Sequence, residues 1–137
     1  MRTALPILLT ILAISASAAE PSIEGHWYGE NYQPVMKAMG QELIHHRPDG
    51  TFDVEFRRFE NCILKVLQTE QGTWSIKDKL IHMQTDYVNG APVHYEDDYE
   101  IQSLDDKTLI YRQLENRQVF TEQRVSPAFV IPECRIS

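Results

Sequence analysis

Short β-type segments separated by turn signals predict an all-β protein, an antiparallel up-and-down barrel of eight or nine strands. Phe52, Val54 and Phe56 alternate with charged residues, which is the period of a half-buried strand. Turn signals such as Pro-Asp-Gly at 48–50 and Asn-Gly at 89–90 recur at short, regular spacing. Only residues 35–39 fit a helical turn. A meander of this kind closes into a barrel or folds into a sandwich, and closure removes exposed strand edges.

The predicted strands follow one another along the chain with only a few residues between them. The first segment begins at Trp27, and the Pro-Asp-Gly signal separates the second segment from the third. Asn89-Gly90, Asp105-Asp106 and Glu115-Asn116 mark the later turns. The segments are 27–32, 41–47, 51–59, 62–69, 74–77, 80–88, 93–101, 108–114 and 118–125.

The first 19 residues read as a secretory signal peptide. Arg2 gives a short positive region, an apolar stretch follows, and Ala16-Ser17-Ala18 supplies the small residues of a cleavage site. The apolar stretch is too short to span a bilayer of roughly 30 Å. We therefore divide the chain into a signal peptide at 1–19 and one β-barrel domain at 20–137 with an extended C-terminal tail, and expect a periplasmic or secreted protein without a transmembrane anchor.

The predicted compartment favours a disulfide between the two cysteines of the chain. Cys62 and Cys134 are the only cysteines, and an oxidising environment favours joining them. A bridge would contribute about 3–4 kcal/mol by constraining the unfolded chain, and would pin the tail to the barrel. Two buried thiols or a catalytic cysteine are the alternatives. No base is evident around Cys62, which favours the structural disulfide.

Length and charge limit the possible functions. The chain has 137 residues, enough for one domain, and 13 basic residues stand against 20 acidic ones. A nucleic-acid-binding protein usually has the opposite balance, so we exclude that class. No His-x-x-x-His or Cys-x-x-Cys spacing, nucleophile motif or phosphate loop occurs. We therefore predict no metal, no cofactor and no enzymatic activity.

Several sequence motifs resemble those of small bacterial lipocalin-like domains, and they occur in the same order. GHWYG at 25–29 resembles the Gly-x-Trp signature of the first lipocalin strand, DGTF at 49–52 the second hairpin, and GTWSI at 72–76 a second Gly-x-Trp. The resemblance covers residues 23–125 and implies a cup-shaped barrel that holds a small apolar molecule. It implies structural roles for Gly25, Trp27, Gly72 and Trp74, and makes Arg124 the candidate for the arginine that stacks on the first-strand tryptophan.

Hairpin pairing predicts which side chains face the barrel interior. A two-residue turn at Asp49-Gly50 sets His45 opposite Val54 and points it inward, whereas a three-residue loop would reverse this. A three-residue loop at 89–91 brings the apolar members of the next hairpin together, and an even-length loop at 105–106 sets Tyr99 near Arg112. The predicted ligand-binding residues are His45, Phe56, Met83, Tyr95, Asp97, Tyr99 and Arg112.

Three functions remain open. The first is binding of a small hydrophobic or amphipathic ligand in the barrel. An inward Arg112 would suit a carboxylate-headed ligand, unless it is satisfied by Asp97 or lies at the wet rim. The second function is binding of a periplasmic protein, as an inhibitor-type small barrel, through residues 33–40. In that segment Met36 and Met39 either contact the partner or form a lid. The third is a structural domain with a filled core.

Overall fold

The computed structural model describes residues 21–135 and contains eight antiparallel strands. The predicted signal peptide at 1–19 lies outside the described residues. A three-residue 3₁₀ turn at Pro34–Met36 joins the first two strands, and in the described part of the chain no helix is long and apolar enough to cross a membrane. The strands are β1 (Gly25–Gln33), β2 (Ala38–His46), β3 (Thr51–Glu60), β4 (Ile63–Lys77), β5 (Leu80–Val88), β6 (Ala91–Leu104), β7 (Thr108–Gln113) and β8 (Val119–Val125).

Each strand pairs with the next, and β8 pairs with β1, which closes the barrel. The predicted all-β up-and-down barrel is thus confirmed. The number of strands is eight because the two predicted segments 62–69 and 74–77 belong to one long strand, β4. This strand is irregular between Gln71 and Gly72. A Cβ atom at Gly72 would lie 1.8 Å from the backbone oxygen of Gln84, so this close strand approach requires glycine.

The register predicted for the β2–β3 hairpin is wrong by one residue. Arg47 and Thr51 face each other across a three-residue loop, in which Gly50 adopts a positive φ of 85°. His46 therefore pairs with Phe52 and is buried, whereas His45 pairs with Asp53 and stacks on His26 with ring centroids 3.7 Å apart. The alternative left open for this loop is the one that the chain adopts.

β-Bulges decide the other two registers. The three-residue loop predicted at 89–91 is wrong, because Val88 pairs with Ala91 across a two-residue loop. A bulge between Thr85 and Tyr87 then restores the register that this loop was expected to give, with the pairs Ile81–Tyr99, Met83–Asp97 and Thr85–Tyr95. In the β6–β7 hairpin, a register shift after Ile101 pairs Tyr99 with Gln113 rather than with Arg112. The prediction of an inward Arg112 is therefore wrong.

The core is concentrated at the end of the barrel where the described chain enters. Trp27 is completely buried, and its indole nitrogen donates a hydrogen bond of 2.8 Å to the backbone oxygen of Ile23. The guanidinium of Arg124 lies 4.3 Å from the centre of the Trp27 ring and donates to the backbone oxygens of Ser22, Glu24 and Asp106. This end is closed.

The C-terminal tail packs on the outside of the barrel. Phe129 contacts Tyr28 on β1 with ring centroids 4.9 Å apart, and Gln41 on β2 donates a 2.8 Å hydrogen bond to the backbone oxygen of Pro132. A disulfide joins Cys62, at the β3–β4 turn, to Cys134 in the tail. The tail is therefore fixed both by contacts and by a covalent bond.

Candidate functional site

A cavity of about 610 Å³ lies at the end of the barrel opposite Trp27. Its wall comes mainly from β1, β2, β3 and β8, and Phe56 and Phe120 form part of it. A smaller inner space of about 60 Å³ continues toward the core, beside Met83, Tyr99 and Tyr111. Ligand pockets typically have volumes of about 300–1,000 Å³, so the open end has room for a small molecule.

The cavity exists because small residues occupy the inner face of the neighbouring strands β1 and β2. Gly29, Gly40 and Ala38 line it, whereas closer to the core the same faces carry Trp27 and Ile44. A Cβ at Gly29 would lie 2.9 Å from the backbone oxygen of Thr121 and 3.1 Å from the Cγ of Glu122. Glycine at this position thus lets β8 approach and leaves room for the Glu122 side chain.

Four carboxylates from alternate strands line the two connected spaces. The wall of the outer cavity includes Glu42 and Glu122, and that of the inner space includes Glu42, Glu70 and Asp97. Gln68 donates to Glu70 at 3.2 Å and Gln113 to Asp97 at 2.9 Å. Within the described chain, the wall of the inner space contains no Lys, Arg or His. The barrel interior is therefore acidic.

Glu122 is at the centre of this acidic interior. It is only 1% exposed, and the Tyr111 hydroxyl donates a hydrogen bond of 2.5 Å to its Oε1. The same hydroxyl lies 3.3 Å from Oε1 of Glu42. The second oxygen of Glu122, Oε2, is buried and has no hydrogen-bond donor. A carboxylate oxygen in this state is costly to bury, so it has an unused capacity to accept a hydrogen bond.

Burial and neighbouring carboxyl groups raise the pKa values of Glu42 and Glu122. Burial raises the pKa of Glu122 well above its usual value, and the charge of Glu42 raises it further. Burial likewise raises the pKa of Glu42, although hydrogen bonds from Glu122 and Tyr111 oppose the effect. Burial and nearby carboxylates also raise the pKa values of Tyr99 and Tyr111. The pair is thus poised to share one proton in the absence of a neighbouring cation.

The structure brings four of the seven predicted ligand-binding residues together. Phe56, Met83, Asp97 and Tyr99 line the inner space. Tyr95, by contrast, is mostly exposed.

The other two predicted residues, His45 and Arg112, lie on the outer face. His45 stacks on His26, and Arg112 lies 3.8 Å from a carboxylate oxygen of Glu100. Both errors follow from the register of their hairpins, because a shift of one residue exchanges the two faces of a strand.

Five residues of the site were missed from the sequence. The missed residues are Glu42, Glu70, Tyr111, Phe120 and Glu122. Alternation does contain a signal for part of this set, because residues two apart on a strand point to the same face. Tyr111 is two residues from the apolar Leu109 on β7, and Glu122 is two residues from Phe120 on β8. The acidic side chains of Glu42, Glu70 and Glu122 nevertheless indicated the opposite orientation, because charged side chains are normally expected on the outer face of a strand.

No family model matches the chain, and no curated protein matches it either. In residues 21–135, no group of three or more His, Cys, Asp or Glu side chains is arranged to hold a metal ion.

Replacing Glu122 with glutamine is expected to stabilise the protein at neutral pH by about 1–3 kcal/mol, the usual cost of an unsatisfied buried polar group. Glutamine keeps the shape and still accepts the hydrogen bond from Tyr111, but it has no charge to bury. Because the folded pKa of Glu122 is raised, the wild type loses stability as the pH rises above the unfolded value. The gain should therefore grow between pH 4 and pH 8 in urea unfolding experiments.

The comparison of wild type with Glu122→Gln isolates this one group. Both proteins contain His46, whose burial lowers its pKa to about 4, so the titration of that histidine cancels in the difference. Glu100→Gln removes the same charge from the outer face and leaves the interior unchanged. Its effect on stability should therefore not grow between pH 4 and pH 8. A stability gain that is independent of pH would contradict the assignment.

Proposed function

We propose that this protein binds a small amphipathic molecule in the open end of its barrel. The observation that carries the proposal is the cavity of about 610 Å³, which has an aromatic wall at Phe56 and Phe120 and polar groups deeper inside. A binding site needs apolar surface for affinity and a few fixed polar groups for orientation. Both are present here, on strands rather than on loops.

The rim of the cavity also suits an amphipathic ligand. Val35, in the β1–β2 connection, is 99% exposed, and Met36 beside it is also exposed. Leu114 and Val119 flank the β7–β8 connection at the same end and are exposed too. Apolar side chains exposed together near a cavity mouth are typical of ligand-binding sites. They would contact the hydrocarbon part of a ligand on its way into the barrel.

The disulfide supports the proposal that the protein works in the periplasm or outside the cell. Disulfides persist in oxidising compartments and are rare in the reducing cytosol. The Cys62–Cys134 bridge joins the barrel to its tail. This agrees with the signal peptide proposed from the sequence.

The exposed β1–β2 connection favours a second candidate, binding of another protein through residues 33–40. Val35 and Met36 are available for such a contact. Met39, however, is buried, so the two methionines of this segment do not act together. Loss of partner binding in Val35→Asp, with unchanged small-molecule binding, would favour this candidate over the first.

The test of cavity binding uses a neutral fluorescent probe, N-phenyl-1-naphthylamine, with the mature oxidised protein. Val66 lines the cavity, whereas its neighbour Leu67 does not and is exposed. Val66→Trp should fill the mouth and weaken probe binding at least about tenfold, the effect of losing roughly 1.4 kcal/mol of contact. Leu67→Trp adds the same side chain on the opposite face and should leave the affinity unchanged. Absence of probe binding by the wild type, or equal effects of the two variants, would overturn the proposal.

A further inference from the structure

Among the residues that the structure describes, none is a basic partner that balances the charge of the interior carboxylates. Arg57 and Arg58 are the bases in the wall of the outer cavity, and each already pairs with a neighbour on β3, Glu55 at 3.1 Å and Glu60 at 3.3 Å. Apart from a hydrogen bond between the two glutamates themselves, Glu42 and Glu122 share one side-chain donor, the Tyr111 hydroxyl. Buried charges in proteins are normally paired, so without a cation this pair retains a proton, and a cation beside it would allow both groups to ionise.

A second observation points to where the cation would bind. The Oε2 atom of Glu122 is fully buried, accepts no hydrogen bond and belongs to a residue that lines the cavity. A donor that reaches this atom from the cavity would satisfy it. The donor has to be a strong one, because it must compensate the burial of a charged carboxylate.

The aromatic side chains around the pair are suited to an organic cation. Phe120 stacks on Tyr111 with ring centroids 5.2 Å apart, and Tyr99 packs edge-on against both rings. Aromatic faces attract ammonium groups and also pack against hydrocarbon. A metal ion fits less well, since no group of three or more metal-ligating side chains is suitably arranged among residues 21–135.

We propose that the ligand is a protonated organic amine whose ammonium group binds between Glu42 and Glu122 and whose hydrocarbon part lies against Phe56 and Phe120. The inference rests on the proposed function and narrows it to one class of ligand. It replaces the carboxylate-headed ligand that an inward Arg112 would have favoured. The ammonium supplies up to three donors, which are enough for the free oxygen of Glu122 and for Glu42.

Binding of the amine should change the protonation of the pair. Burial and neighbouring charges raise the pKa of both glutamates. The titratable and charged groups around them are Tyr111 from β7, Tyr99 and Asp97 from β6, Glu70 from β4, and Arg57 and Arg58 from β3. A cation beside the pair favours the ionised form, so any proton shared by the pair is released to the buffer on binding. Amine binding should consequently tighten as the pH rises from 5 to 8.

The experiment compares octylamine, octanol and octanoate, which share one chain length and differ in the charge of the head group. Each competes with N-phenyl-1-naphthylamine for the mature oxidised protein at pH 7.5. We expect octylamine to bind at least about tenfold more tightly than octanol, as for a hydrogen bond to a charged group, and octanoate to bind most weakly. Glu122→Gln and Glu42→Gln should each reduce this preference severalfold while octanol binding persists. The outer-face control Glu100→Gln should retain the preference.

The outcomes separate this inference from the proposed function. If octanol and octanoate bind as tightly as octylamine, the cavity binds ligands but the inference about the amine is wrong. If the preference for the amine survives in both glutamine variants, the placement of the ammonium group between Glu42 and Glu122 is wrong. If neither the probe nor any octyl compound binds, the proposed function itself fails.

Discussion

Replacing Trp27 with alanine is expected to lower the free energy of unfolding by about 3–5 kcal/mol, the usual cost of removing a large aromatic side chain from a core. Trp27 is completely buried at the closed end of the barrel, where it packs with Ile23 and Leu109. The substitution also removes the hydrogen bond to the Ile23 backbone and the ring beneath Arg124. Urea unfolding followed by circular dichroism measures the loss.

The control for this prediction lies on the same strand. Tyr32 is at the open end of β1 and is 44% exposed, so Tyr32→Ala should cost well under 1 kcal/mol, as is usual for surface substitutions. Trp27→Phe should fall between the two variants, because phenylalanine keeps a ring beneath Arg124 but cannot donate a hydrogen bond. Equal stabilities of Trp27→Ala and Tyr32→Ala would mean that the closed end does not hold the barrel together.

The fold was predictable from the sequence because each of its parts has a local signal. Alternation marks the inward face of β3, and the Pro-Asp-Gly and Asn-Gly turns mark hairpin positions. The order of these signals leaves few topologies other than a meander. The pairing of Arg124 with Trp27 was implied by the resemblance to lipocalin-like domains, and the two side chains do lie together.

The registers were less predictable, because a β-bulge has a weak sequence signal. The bulge between Thr85 and Tyr87 compensated for the wrongly predicted length of the 89–91 loop, whereas the shift after Ile101 reversed the face of Arg112. A shift of one residue was enough to move the expected inward arginine to the outer face. The character of the cavity thus depends on details of hairpin geometry that composition does not determine.

The buried glutamates could not be predicted for a different reason. A carboxylate inside a small barrel opposes stability, so reasoning from hydrophobic burial places Glu42 and Glu122 outside. Stability alone therefore does not explain why Glu42 on β2 and Glu122 on β8 point inward. Proteins commonly depart from the rules of folding at functional sites, which is why the acidic interior is the basis of our proposal on the ligand.

Removing the disulfide, by replacing Cys62 and Cys134 with serine together, is expected to cost about 3–4 kcal/mol of stability through the unfolded chain. The two cysteines are 72 residues apart in sequence, so the bridge closes a long loop and strongly restricts the unfolded ensemble. The folded tail should remain docked, because Ile131 is buried and Gln41 holds the backbone of Pro132 by a hydrogen bond. Urea unfolding of the oxidised wild type and of the double serine variant measures the difference.

The dependence on urea distinguishes this explanation from loss of the tail. An unfolded chain without the bridge is more expanded, so the slope of the free energy against urea concentration should rise in the double variant. If the tail instead detached from the folded barrel, the surface beneath it at Tyr28 and Gln41 would already be exposed, and the slope would fall. Reduced wild type should match the double serine variant in both quantities, because it lacks the same covalent bond and keeps every other contact. An unchanged stability after reduction would show that the bridge contributes nothing in the oxidised protein.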